Sequence, residues 1–154
     1  MHSNVFQIST EKIQREDFIY EETLDGYDFF DYCSEISDED RLEEIKRLSG
    51  HILPEGMFTL VGDDILIYNG GAEKIRQEWA DRIRAKAALV TEENIMKFVG
   101  PAYQLKKEIE NPLGTSTRFY IDGCVEQSDE LVKMLCGLEP GTRLYIGGVI
   151  DWHF

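Results

Sequence analysis

Apolar residues recur at helical spacing in five segments of the chain, which we expect to form helices. These segments cover residues 37–50, 72–88, 91–100, 102–110 and 128–138. In the first, Ser37 precedes an acidic first turn as an N-cap, and Gly50 is placed for a left-handed C-cap. Between these two residues, Leu42, Ile45 and Leu48 form a stripe that predicts burial against a core.

Two other stretches carry weaker signals. In residues 91–100, Thr91 is placed to cap a helix that carries Ile95, Phe98 and Val99. In residues 10–34, aromatic residues are mixed with acids at almost every other position. There we expect only helix-like turns, near residues 10–18 and 25–34.

Short apolar runs bounded by turn residues predict strands. They lie at residues 5–8, 57–61, 65–68, 118–125 and 143–150. Gly62-Asp63 suits a tight hairpin turn between the second and third runs. Gly147-Gly148 predicts a bulge or a close backbone contact in the last one. The strand, helix and strand over residues 117–150 are compatible with a right-handed parallel crossover.

The order of these elements predicts an α+β protein. We expect a single compact domain over residues 1–154, with a small mixed or antiparallel sheet of about four to five strands packed by helices. A chain of 154 residues buries roughly two-thirds of its unfolded surface. That burial is enough for a core that needs neither disulfides nor a structural metal.

Charge is distributed unevenly along the chain. The chain contains 30 Asp and Glu residues against 16 Lys and Arg residues, a net charge of −14. Residues 1–64 hold 17 acidic and 5 basic side chains, whereas residues 65–154 hold 13 and 11. Because this charge repels polyphosphate, we expect no direct nucleic-acid binding. The same charge suits a basic protein partner.

Membrane and secreted classes do not fit the composition. The longest apolar runs have four residues, whereas a membrane-spanning helix needs about 20. The first residues lack the basic cluster and apolar core of a secretory signal. Cys33, Cys124 and Cys136 are an odd number of cysteines with irregular spacing, unlike a disulfide framework. We therefore expect a cytoplasmic protein with no membrane contact.

No motif for metal, phosphate or nucleophilic chemistry is complete. Acids recur at intervals of three from Asp25, but they lack the spacing of a calcium-binding loop, and the three histidines stand apart. Gly70-Gly71 lies between a strand and a helix without the spacing of a phosphate-binding loop. Any chain with three cysteines and three histidines offers Cys–His pairs, so none is singled out. We expect no metal and no cofactor, and we assign no catalytic residue.

The acidic and aromatic stretch from residue 16 into the first helix is the best candidate for an interaction surface. Aromatic residues provide contact area, and carboxylates steer an interface toward cations. We assign nine carboxylates to this surface, called the acidic face: Asp25, Asp28, Asp31, Glu35, Asp38, Glu39, Asp40, Glu43 and Glu44. The helix at 72–88 is the one basic element, and it could dock on this face within one molecule or between two.

These features favour a small cytosolic interaction or inhibitor protein that binds a basic partner through its acidic N-terminal face. One alternative is a small hydrolase that works through carboxylates or a cysteine. Another is a structural subunit that forms a homo-oligomer through Trp79, Trp152 or the C-terminal aromatic residues.

Overall fold

A seven-stranded mixed sheet forms the centre of the computed structural model, which describes residues 1–154. Its strands are β1 (His2–Ser9), β2 (Tyr32–Glu35), β3 (Phe58–Val61), β4 (Ile65–Tyr68), β5 (Arg118–Ile121), β6 (Cys124–Glu126) and β7 (Arg143–His153). The strand order is β3-β4-β7-β1-β5-β6. β1 pairs with β7 along one edge of β7, while β4 and β2 share the opposite edge at its two ends. Only the β1–β5 pair is parallel.

Four α-helices form a layer on one side of this sheet, and the α+β class is confirmed. They are α1 (Asp38–Arg47), α2 (Ala72–Ala87), α3 (Pro101–Glu110) and α4 (Ser128–Cys136). A π-helical turn over Leu48–Ile52 extends α1. Ser37 caps α1 as expected, since its hydroxyl accepts the Asp40 N–H at 3.1 Å. The left-handed C-cap at Gly50 is wrong, because the π turn continues through that residue with a negative φ.

The two faces of the sheet carry separate cores. The larger core lies under the helices and contains residues such as Phe6, Ile45 and Leu131. The smaller one contains Val5 and Trp152 and is covered by residues 10–31, called the aromatic segment. Residues 10–31 therefore contribute side chains to a core as well as acids to the surface.

A β-bulge at Gly147-Gly148 confirms the prediction for this glycine pair. The β1–β7 register shifts there, so Ile146 faces the larger core and Ile150 faces the smaller one, although both have even numbers. A Cβ on Gly148 would lie 2.5 Å from the carbonyl oxygen of Ile19. The absent side chains let the aromatic segment approach β7 closely.

The expected count of four to five strands is too low for two local reasons. β2 forms where we expected helix-like turns, because Tyr32–Glu35 pairs with the free edge of β7. The run expected as one strand at 118–125 is a hairpin, because Asp122 and Gly123 have φ values of 49° and 86°. Two successive positive φ values are the geometry of a tight hairpin turn.

The hairpin also changes the expected crossover at 117–150. β5 pairs parallel to β1, and β1 pairs antiparallel to β7, so β5 runs antiparallel to β7. The short β6 runs opposite to β5 and is therefore parallel to β7. The crossover through α4 joins β6 to β7, with β1 and β5 lying between them in the sheet, rather than β5 to β7.

The helix expected at 91–100 is wrong. Thr91 does accept the Asn94 N–H at 3.2 Å, but only a 3₁₀ turn over Asn94–Met96 follows. Pro101 opens α3 and holds Gly100 extended, as proline does to the residue before it. Phe98 is consequently 94% exposed. None of the helices combines the length and apolar character needed to cross a membrane.

Candidate functional site

The nine carboxylates assigned to the acidic face lie in three consecutive pieces of structure. Three acids lie in the loop before β2, Glu35 ends β2, and the other five lie on α1. Eight of the nine residues are exposed, and Glu44 is half-buried. Glu44 is held inward by Asn4, whose side-chain amide donates to its carboxylate at 2.6 Å.

Most of these carboxylates make no ion pair within the chain. Three of the nine are paired: Asp38 with Arg15 at 2.6 Å, Glu44 with Arg47 at 2.9 Å and Asp31 with His153 at 3.4 Å. The remaining six have no basic nitrogen within 4.0 Å: Asp25, Asp28, Glu35, Glu39, Asp40 and Glu43. Neutralisation of this face within the chain is therefore partial.

Arg41 does not neutralise the surface, although it lies within the acidic stretch. Its guanidinium turns inward and donates to the carbonyl oxygens of Gly147 and Ile146, each at 2.7 Å. Its remaining carboxylate partner is Asp64, at 3.3 Å. Arg41 therefore joins α1 to the bulge in β7, and this buried arginine is one that sequence periodicity did not find.

Two surface cavities on either side of Ile36 bring acids of α1 together with an acid of a strand, β2 in one cavity and β7 in the other. One cavity, of about 220 Å³, is lined by Glu35 and Asp38 and also by two arginines. The other, of about 250 Å³, is lined by Asp40 and Glu44, together with Asp151 of β7. The second cavity gathers three carboxylates from two elements distant in sequence.

Acids also crowd the exposed edge at β2. Burial raises the pKa of the Cys33 thiol, and the negative charges of Glu21, Asp25 and Glu22 raise it further. The backbone N–H of Glu35 donates to the Glu21 carboxylate at 3.2 Å. These contacts place two acids outside the assigned set beside Asp25 and Glu35.

Within the molecule, the basic helix α2 does not dock on the acidic face. Its cations pair locally, three of them with acids on α2 itself. The other two, Arg82 and Lys86, each lie 2.6 Å from the carboxylate of Glu108 on α3. Burial by itself raises the pKa of Glu108, but the hydrogen bonds from Lys86 and Arg82 outweigh burial and lower it.

The residues considered for the two alternatives are distributed over separate parts of the fold. Cys33 lies in β2, Cys124 is exposed in β6, and the Cys136 thiol lies 3.7 Å from a backbone carbonyl oxygen. No group of three or more His, Cys, Asp or Glu residues is arranged to hold a metal ion. Trp152 is buried in the smaller core, and the Trp79 indole N–H donates to the Glu108 carbonyl oxygen at 2.7 Å.

A further cavity, which the sequence does not indicate, lies between the start of β5 and the aromatic segment. Its volume is about 360 Å³, and Phe29, Arg118 and Trp152 line it. These residues are far apart in the sequence, so no motif or spacing could have joined them. No family model matches the chain, and neither a curated protein nor a solved structure matches it.

Proposed function

We propose that the chain is a small interaction or inhibitor-type protein that binds a basic protein partner through its acidic face. One observation carries the proposal: six of the nine carboxylates of this face have no cation within 4.0 Å, in a chain of net charge −14. Exposed and unpaired charges of one sign create a field that attracts the opposite charge. A partner with clustered Lys and Arg residues is the complement.

The cavity lined by Asp40, Glu44 and Asp151 offers a place for one cationic side chain of that partner. A guanidinium binds carboxylates through paired hydrogen bonds, and such charge-assisted bonds are among the stronger ones. Arg47 and His2 also line this cavity and contact Glu44 at 2.9 Å and Asp151 at 2.8 Å. The binding of a cation there therefore requires both side chains to move away, and both are more than half exposed.

A charge-reversal pair with a matched control tests the proposal. Glu35→Lys combined with Glu43→Lys reverses two exposed, unpaired charges of the acidic face. Glu92→Lys combined with Glu93→Lys makes the same change of net charge in the connection between α2 and α3. Each protein is immobilised and exposed to an extract of its native host at low salt, and captured proteins are eluted with salt and identified.

We expect the wild type and the control pair to retain the same basic protein, and the Glu35 and Glu43 pair to lose it. Raising the salt from about 0.1 M to 1 M shortens the screening length from about 10 Å to about 3 Å, so the captured protein should elute. Equal loss in both double variants would show that only the net charge matters. Retention in all three proteins, or capture that survives high salt, would refute the proposal. Thermal unfolding of each variant confirms that it is folded.

A further inference from the structure

The cavity beside Arg118 combines a cation, aromatic walls and a rigid polar loop. Phe29, Trp152 and Phe154 supply apolar surface, and Thr115 and Lys107 are among the polar residues that line it. Its volume of about 360 Å³ falls within the range of small-molecule pockets, which combine apolar walls with a few polar groups. It lies outside the two cavities that flank Ile36.

Arg118 stands apart from the other arginines. Six of the eight arginines pair with a carboxylate within 4.0 Å. The exceptions are Arg143, which is exposed, and Arg118, which is half-buried. The Arg118 guanidinium lies 4.0 Å from the centre of the Phe29 ring and 5.7 Å from that of Trp152, and its nitrogens donate no hydrogen bond. A guanidinium has five N–H donors, so those of Arg118 are left to solvent or to a ligand rather than to the protein.

A second polar group of this cavity also lacks a partner. Trp152 is only 4% exposed, and its indole Nε1 has no hydrogen-bond acceptor in the protein. A buried donor without an acceptor is destabilising. Lys107, on the rim, makes no ion pair; its ammonium lies 5.0 Å from the Tyr103 ring. Arg118 and Lys107 therefore offer N–H donors to an acceptor from outside, and the Trp152 ring lies 5.7 Å from the Arg118 guanidinium beside them.

The loop between α3 and β5 is held in shape before any ligand arrives. The Asn111 side chain donates to the carbonyl oxygen of Thr115 at 2.7 Å and accepts the Thr115 N–H at 3.3 Å. The Ser128 hydroxyl donates to the same side chain at 2.7 Å and accepts the Leu113 N–H at 3.1 Å. A pre-formed wall lowers the entropy cost of binding.

We propose that this cavity binds a small aromatic carboxylic acid, with the Arg118 guanidinium as the hydrogen-bonding fork for its carboxylate. The planar guanidinium matches a carboxylate through two parallel hydrogen bonds. The three aromatic side chains contact the flat body of the ligand. This inference does not depend on the acidic face and stands or falls separately.

Charges around Arg118 favour a monoanion over a dianion. The pKa of Arg118 is lowered, because the effect of burial exceeds the opposing effect of the negative charges of Glu110, Asp28 and Glu126. Arginine stays protonated at neutral pH despite such shifts. The three carboxylates lie beyond ion-pair distance, and they would repel a doubly charged phosphate more strongly than a singly charged carboxylate.

Titration of the full chain with benzoate tests the site by NMR. The chain has two tryptophans, so its spectrum holds two indole N–H signals, and that of Trp79 is an internal reference because it is bonded to Glu108. Benzamide, the neutral analogue, and phenyl phosphate, the dianionic one, are titrated in parallel. Arg118→Gln and Arg118→Lys are compared with Arg143→Gln, which removes the exposed unpaired arginine.

We expect benzoate to shift the Trp152 indole signal with a Kd of about 1 mM or below, an affinity within reach of so small a ligand. Arg118→Gln should weaken binding at least about tenfold, Arg118→Lys should weaken it less, and Arg143→Gln should leave it unchanged. No saturable shift, equal binding of benzamide, tighter binding of phenyl phosphate, or binding unaffected by Arg118→Gln would each overturn the proposal. If Arg118→Gln does not fold, the contrast between benzoate and benzamide on the wild type still decides.

Discussion

Glu108 is the residue whose loss should reveal most about how the helical layer is held together. It is 8% exposed and joins α3 to α2 through Arg82 and Lys86, each at 2.6 Å. The substitution Glu108→Gln keeps the shape of the side chain and removes its charge. Glu73→Gln is the matched control, since Glu73 is exposed and pairs with Arg76 within one turn of α2 at 3.6 Å.

The magnitude follows from the two bonds that lose their charge. A hydrogen bond to a charged group is worth about 1.5–3 kcal/mol. Arg82 and Lys86 are 40% and 36% exposed, so water recovers part of this loss, and the amide oxygen of glutamine still accepts one bond. We therefore expect Glu108→Gln to lower the free energy of unfolding by about 2 kcal/mol, which lowers Tm by about 4–8 °C. Glu73→Gln should cost less than about 0.5 kcal/mol.

The effect should depend on pH in a defined direction. The pKa of Glu108 in the folded chain is lowered from its ordinary value of 4.5. A lowered carboxyl pKa adds stability above the unfolded pKa, and that stability is lost as the pH falls through the folded pKa. The wild type should therefore exceed Glu108→Gln at neutral pH and converge with it in acid.

Urea unfolding followed by circular dichroism, at neutral and at acidic pH, measures both effects. The midpoint should shift while the slope with denaturant stays constant, because the surface exposed on unfolding is unchanged. If Glu108→Gln costs no more than Glu73→Gln at neutral pH, the bonds from Arg82 and Lys86 do not stabilise the fold. A difference that grows in acid would refute the assigned sign of the pKa shift.

Two further predictions concern the bulge and the thiols. Gly148→Ala should lower the free energy of unfolding by about 2 kcal/mol, because the added Cβ would meet the Ile19 backbone. Gly50→Ala is the control and should leave the free energy of unfolding nearly unchanged, since Gly50 has open space around it. Equal melting temperatures of the two variants would contradict this prediction. Iodoacetamide near pH 8 should label Cys33 more slowly than the exposed Cys124, because Cys33 is partly buried and its thiol pKa is raised. Mass spectrometry of the labelled peptides measures the ratio of the two labelling rates. Similar rates for Cys33 and Cys124 in the folded chain would contradict the prediction, whereas similar rates in denaturant would not.

Local sequence signals predicted much of the fold, and the failures have identifiable causes. The Ser37 cap and the stripe through Ile45 and Leu48 act within a few residues, so α1 was readable from the chain. The Asp122-Gly123 pair is typical of a tight hairpin turn, so the sequence does contain a local signal that divides residues 118–125 into two strands. β2 had no such signal, because its pairing depends on the free edge of β7 more than 110 residues later.

The candidate sites divide in the same way. The excess of acids before residue 64 is a property of the sequence, but the sequence did not say that Arg41 would turn inward to the carbonyl oxygens of Ile146 and Gly147. Nor did the sequence indicate that the cations of α2 would pair with acids of α2 itself and with Glu108. Both outcomes leave the acidic face less neutralised than a count of charges along the chain would indicate.

The sequence by itself determined the α+β class, the positions of the four α-helices and the uneven charge, because periodicity, capping and composition act over short distances. The tertiary structure alone decided which side chains share a cavity. Phe29, Arg118 and Trp152 meet only because the aromatic segment folds over the sheet face that carries the smaller core. Contacts of that kind join residues from distant parts of the chain, and local patterns carry no information about them.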